Sequence, residues 1–321
     1  MAATGIKGWL AVIALTLVAS GCDFARPSNP APPPPPSEPE PPAPATITTT
    51  PPTLTSRELA LRYGRLQREL LVQGLLRQDG GGPDAPFTDT QLARNFVRIA
   101  LFNEYRDDSD FSRPQATISK LRRWTQPIRM SIEFGDTVPE PQRVSDRSAV
   151  ASYVLRLSEL TGVPITLTTR DPNFRVLFLN EDERRAYSAR LPQLIPGIPA
   201  ATQEAFRNLP SDQLCVVIGA FEAGRSNYTK AIALIRAEHT GVMRTACIHE
   251  ELAQGMGLAN DSPNARPSIF NDDEEFALLT RHDELLLRML YDPRFSTGMA
   301  PADAAPIARM IARELLAEGA T

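Results

Sequence analysis

Histidine and cysteine are scarce in this chain, with three of each in 321 residues, and that scarcity excludes several chemistries. His239, His249 and His282 are the only histidines, 10 and 33 positions apart. No pair has the spacing of a two-histidine zinc clamp, and the three do not form a known ligand pattern. No long basic run occurs and the net charge is −4, which excludes nucleic acid as a partner. A Gly-x-Ser-x-Gly elbow is absent. The triple glycine at 80–82 follows no strand pattern and precedes no Gly-Lys-Ser/Thr, so it is no phosphate loop. No apolar run is long enough to span a bilayer as a helix.

What is present begins with a targeting pattern. Lys7 precedes a ten-residue run, 9–18, that is apolar but for Thr16; this suits the core of a signal peptide. Ala19-Ser20-Gly21-Cys22 follows and resembles a bacterial lipobox, with alanine where leucine is preferred. An ordinary secretory signal ending near a cysteine is the alternative. A lipidated Cys22 would anchor the chain by acyl groups. Asp23 resembles the inner-membrane retention signal of enteric bacteria. Of the chain's 30 prolines, 13 lie between Pro27 and Pro52. Such a tether has too few apolar residues to form a core, and as polyproline II it would reach ~80 Å. The expected compartment is the bacterial cell envelope, facing the periplasm.

With Cys22 acylated, Cys215 and Cys247 remain. An oxidising envelope favours a disulfide between them; two buried thiols are the alternative. Helical spacing starts near Thr55, where Thr55 and Glu58 fit a capping box, and recurs over 90–105. From Trp124 the rhythm alternates. Strands are expected at 128–134, 164–169, 174–179, 215–221 and 230–235, and helices at 145–161, 181–190 and 202–208. A central helix follows over 243–256, then helices from Leu279-Thr280 and over 305–318. The expected fold class is α+β. The segments are a signal peptide (1–21), an anchor and tether (22–54), an N-terminal helical segment (55–123), a mixed-sheet domain (124–299) and a C-terminal helix (300–321).

The central helix carries the candidate site. Glu250 and Gln254 are four apart and share a face, with Glu251 one step round. Gly257 can leave the helix through a left-handed turn, which would return Asn260 or Asp261 towards that face. The pair His282–Asp283 reads as a helix-surface pair. Asp272-Asp273-Glu274-Glu275 reads as a solvated acidic loop, with weak Ca²⁺ binding as the alternative.

Over 124–293 the order of parts resembles the metzincin zinc endopeptidases, the matrixins in particular. Trp124 precedes the first strand, and a long helix, a mixed sheet and the signature helix follow. Ser268-Ile269-Phe270 stands where those proteins have a serine-isoleucine-methionine turn, and Leu279-Thr280 opens a helix that ends near Tyr291. The resemblance implies a zincin-like fold. The ligand positions, however, hold Glu250, Gln254 and Asn260, with Asp261 beside the last; Glu251 stands at the catalytic glutamate position and Phe270 at the methionine. His249 sits one residue early. More specifically, Cys247, Glu250-Glu251-Leu252-x-Gln254-x-x-Gly257-Leu258-x-Asn260-Asp261, Ser268 to Asp272 and Tyr291-Asp292-Pro293 resemble a proteobacterial envelope family catalogued as domain of unknown function 2927. That resemblance implies a location and a fold, but no activity.

One carboxylate and two amide oxygens suit zinc poorly and harder ions better. Without a Lewis acid, Glu251 has no activated water to use. The expectation is therefore a degenerate site at His249, Glu250, Glu251, Gln254, Gly257, Asn260, Asp261 and Phe270, with no metal and no cofactor. It would serve a binding or scaffold module for a peptide, a protein or a cell-wall ligand. Two alternatives stay open. One is a metal-dependent hydrolase, holding a divalent ion weakly through oxygens or recruiting His249, with Glu251 catalytic. The other is a purely structural lipoprotein.

Overall fold

The computed structural model describes residues 54–105, 115–222 and 224–318. The expected signal peptide and tether, with Cys22 and Asp23, lie outside these residues. No helix among the described residues is long and apolar enough to cross a membrane.

Helix α1 (Leu54–Val72) comes first; Thr55 is already helical, so it does not serve as the cap. Helix α2 (Asp89–Ala100) opens with a capping box between Thr88 and Gln91. It stops short of the expected 105 because the chain turns extended. Strand β1 (Phe102–Asn103) pairs antiparallel with β2 (Thr117–Ile118). Glu104 and Tyr105 therefore leave the helix.

Strand β3 (Ile128–Phe134), helix α3 (Glu140–Thr161), β4 (Ile165–Leu167) and β5 (Phe174–Leu179) follow. Then come α4 (Glu181–Tyr187), α5 (Leu191–Leu194) and α6 (Ala200–Arg207), and the strands β6 (Cys215–Phe221) and β7 (Tyr228–Arg236). Helices α7 (Gly241–Gln254), α8 (Arg281–Leu290) and α9 (Pro301–Glu318) complete the fold. It is α+β, with an N-terminal helix and C-terminal helices flanking a mixed sheet.

The main sheet has the order β4-β3-β5-β7-β6. Four strands are parallel, and only β6 runs antiparallel, paired to β7. A hairpin can join β6 to β7 directly, whereas the parallel strands need crossovers such as α3. Alternate residues of β5 enter opposite cores. Phe174, Val176 and Phe178 face α3 and α7, among Val150, Val154, Leu157, Ile248 and Leu252. Leu177 and Leu179 face Tyr187, Leu191 and Phe206. Both sheet faces are thus covered, which accounts for the near-continuous apolar runs of β5 and β7.

Two buried polar knots join these layers. The Arg244 guanidinium on α7 donates to both oxygens of Asp146 on α3, at 2.8 and 2.6 Å, and to the carbonyls of Ala237 and His239. The Asp283 carboxylate accepts from Ser268 Oγ at 2.5 Å, from the amides of Ile269 and Thr280 at 3.0 Å each, and from Thr280 Oγ1 at 2.8 Å. His282 and Asp283 are fully buried, not the surface pair expected. His282 lies between Asn95 Nδ2 (3.1 Å to Nε2) and Asp283 (3.3 Å from Nδ1), so it ties α8 to α2.

Removing one partner of a buried pair leaves the other charge uncompensated, whereas an apolar pair of similar volume does not. Asp146→Ala should therefore lower unfolding free energy by roughly 3–5 kcal/mol. The double variant Asp146→Leu/Arg244→Met should recover most of that loss, as measured by denaturant unfolding of all three chains.

Candidate functional site

Helix α7 divides its faces between core and cleft. Cys247, Ile248 and Leu252 are buried in the core, while Glu250, Glu251 and Gln254 line a cleft against strand β6. The end of α7 is held by two aromatic side chains. Trp124 Nε1 donates to the Gly255 carbonyl at 2.8 Å, and the Tyr291 hydroxyl donates to the Met256 carbonyl at 2.9 Å. Both satisfy carbonyls that a helix end leaves without partners. Gly257 then turns the chain with φ +124°. A Cβ there would collide with the Arg122 carbonyl oxygen, so glycine is required by close approach as well as by φ. The turn returns Asp261 to the cleft, where Gln254 Nε2 approaches its Oδ1 at 3.4 Å.

Cys215 on β6 and Cys247 on α7 form a disulfide with Cα atoms 5.8 Å apart and a sequence separation of 32. It fixes the antiparallel edge strand against the helix that carries the carboxylates. The Cys215 sulfur lies 3.8 Å from Glu250 Oε2. Cys215, Glu250 and Glu251 bring ligand-type atoms within 4.8 Å of one another. A disulfide sulfur is not a thiolate, however, so only the two carboxylates of that trio can coordinate.

The cleft has a volume of about 320 Å³ and gathers Glu104, Glu250, Glu251, Asp261, Asp272 and Glu274. Arg122 is the one cationic side chain among its described lining residues. It is already engaged, with Nη1 donating to Asn103 Oδ1 at 3.0 Å and its guanidinium over the Phe221 ring. Burial, and then neighbouring carboxylates, hold the protons on. Glu250, Glu251 and Asp261 are raised well above the ordinary carboxyl range, with burial the first cause of each. Glu104 and Glu274 are each pushed up to about 7, again chiefly by burial. Glu251 is 2% exposed, and its Oε2 has no hydrogen-bond partner.

Four residues read from the sequence meet here: Glu250, Glu251, Gln254 and Asp261. Others are placed elsewhere. Asn260 is buried behind the cleft, with Nδ2 donating to the carbonyls of Arg98 (3.0 Å) and Asp261 (2.6 Å), so it does not join the α7 cluster. His249 turns away from it. Its ring stacks on Tyr153 with centroids 4.0 Å apart, and its Nδ1 accepts from the Leu279 amide at 3.0 Å. Burial lowers its pKa to about 4. Phe270 is fully buried and holds its loop through its backbone, accepting from the Ser262 amide at 2.9 Å. His239 is also buried, against the Leu214 carbonyl and the Tyr63 ring.

Two groups were missed by the sequence reading. Glu104 and Tyr105 carried no signal, because the helical pattern ran through them. Asp272 and Glu274 had one in their acidic loop. That loop is not simply solvated: Glu274 is half-buried at φ +56° and lines the cleft, while Glu275 pairs with Arg77 and Arg266. As a zinc site the cluster does not fit. Its donors are carboxylate and amide oxygens, no histidine nitrogen enters, and its one sulfur is oxidised.

The disulfide should contribute roughly 3–4 kcal/mol by closing its loop in the unfolded chain. Cys215→Ser/Cys247→Ser, compared with wild type by denaturant unfolding, should show that loss; an unchanged midpoint would contradict it. The carboxyls predict a pH effect of definite sign. A group whose folded pKa is raised contributes stability that is fully present below its unfolded value and is lost as pH rises through the folded one. Glu250→Gln and Glu251→Gln should therefore melt close to wild type near about pH 4 and higher than wild type near about pH 8. Calorimetric melting of the full chain checks this.

A family model described as "Protein of unknown function (DUF2927)" matches residues 89–310. The match runs from α2 into α9 and includes every cleft residue named above. No curated protein and no solved structure matches the chain. With the match covering more than half of its length, the chain belongs to the DUF2927 family.

Proposed function

We propose that this protein is an envelope lipoprotein whose folded domain is a binding module on a zincin-like scaffold, held at the membrane through Cys22 and its proline-rich tether. The lipobox-like Ala19-Ser20-Gly21-Cys22 and the run of prolines after it support the anchor. The signature helix, the mixed sheet and the Ser268 loop support the scaffold.

The observation that carries the binding reading is the cleft between α7 and β6. Strand β6 ends the sheet, and among the described residues its outer edge has no ladder partner. An edge strand beside a cleft takes an extended chain by main-chain hydrogen bonds, with side-chain pockets adding selectivity. The occupant that fits is an extended peptide segment, from an envelope protein or from the peptide part of the cell wall. Binding is favoured over turnover by the donor set, which lacks the nitrogen ligands that a zinc-activated water requires.

Panning a phage-displayed dodecapeptide library against the full chain in detergent micelles tests this. Selected peptides should bind saturably. N-methylation of alternate residues should weaken them about tenfold or more, because it removes strand-pairing N–H groups. Failure to enrich any peptide, or binding indifferent to N-methylation, would contradict the reading.

A further inference from the structure

The acidic end of the cleft raises a charge problem that the peptide reading leaves open. Glu104, Glu250, Glu251 and Asp261 converge there, and Arg122 is already committed to Asn103 and Phe221. Protons relieve part of the repulsion, but they do not satisfy Glu251. Its Oε2 is buried and meets neither a donor nor an acceptor. Charged, it lacks a donor; protonated, it lacks an acceptor. Either state costs free energy in a buried site.

We propose that this end of the cleft binds one hard divalent cation, of the Ca²⁺ or Mn²⁺ class, with Glu251 and Glu250 as its primary ligands. Asp261 and Glu104 complete the charge, and water fills the remaining positions. The donor set is all oxygen, which such ions prefer. Glu250 and Glu251 already bring their carboxylate oxygens within 4.8 Å of each other. The surroundings are built rather than accidental. The disulfide and Trp124 hold α7 in place, while the Ala259 carbonyl accepts from the Glu104 amide at 3.1 Å and brings that carboxyl to the site. A bound cation displaces protons from these carboxyls, so binding and proton release are linked. The proposal is independent of the peptide reading, because the titrations below contain no peptide.

The test is calorimetric titration of the chelator-treated full chain, in detergent, with Ca²⁺, Mn²⁺, Mg²⁺ and, for comparison, Zn²⁺. One saturable site for Ca²⁺ or Mn²⁺ is expected, with a heat that depends on the buffer's ionisation enthalpy as protons leave. Glu251→Gln and Glu250→Gln should each weaken it by about tenfold or more, whereas the exposed Glu159→Gln should not. The same ions should raise the melting temperature of wild type and leave that of Glu251→Gln unmoved. Because glutamine keeps the shape and relieves the charge, the variants should fold, and their melting curves verify it. Absence of saturable Ca²⁺, Mn²⁺ or Mg²⁺ binding up to about 10 mM would overturn the proposal. So would affinity unchanged in Glu251→Gln, or a site that accepts Zn²⁺ alone. Peptide binding that persists in chelator would leave the binding module standing while this cation site fell.

Discussion

Crowding of carboxyls at one end of a cleft is the constraint around which this structure is arranged. Burial pushes each of Glu250, Glu251 and Asp261 away from ionisation, and the neighbouring carboxyls add to the effect. Ionised together, these side chains would drive their elements apart unless they were fixed by other means. The fixing is visible. The Cys215–Cys247 disulfide joins β6 to α7, Trp124 and Tyr291 hold the end of α7, and Arg244 with Asp146 ties its first turns to α3. The Arg244–Asp146 and Tyr291–Met256 contacts lie outside the cleft, whereas the disulfide borders it at Cys215 and braces the wall that carries the carboxyls.

The same division appears in the loops. Asp283 gathers the Ser268 hydroxyl, the Ile269 amide and both donors of Thr280 into one buried knot. That knot positions the loop after Asp261 relative to α8 without using any cleft residue. The Arg123 guanidinium similarly donates to the carbonyls of Leu290, Asp292 and Phe295, closing the end of α8 beneath the Trp124 contact. The acidic cleft thus sits on a frame tied together by the buried contacts of Asp283 and Arg123.

Much of this frame was legible in the sequence. The central helix, its glycine exit and the alternating strands follow from spacing, which reports backbone geometry well; the Cys215–Cys247 pair was expected from the even count left after Cys22. The site was legible only where it lay on that helix. Glu104 escaped because α2 ends at Ala100 through pairing of β1 with β2, a tertiary event that no local pattern announced. His282 and Asp283 looked like a surface pair because a polar dipeptide is usually solvated; here Asn95, Ser268 and Thr280 supply the partners that permit burial. Asn260 and His249 show the opposite error. Position in a motif suggested the cleft, but a carbonyl of α2 claimed the amide, and Tyr153 and Leu279 claimed the imidazole.

Carboxyl crowding in the cleft is tested most directly by a carbon-13 NMR titration of the side-chain carboxyls in the metal-free full chain, assigned through Glu104→Gln, Glu250→Gln and Glu251→Gln. The Glu250 and Glu251 signals should titrate well above the ordinary glutamate range, with Glu104 near about 7. Ordinary titration of all three, near about 4.3, would mean that the cleft is open to water and its carboxyls ionise freely, which contradicts a buried, crowded acidic site.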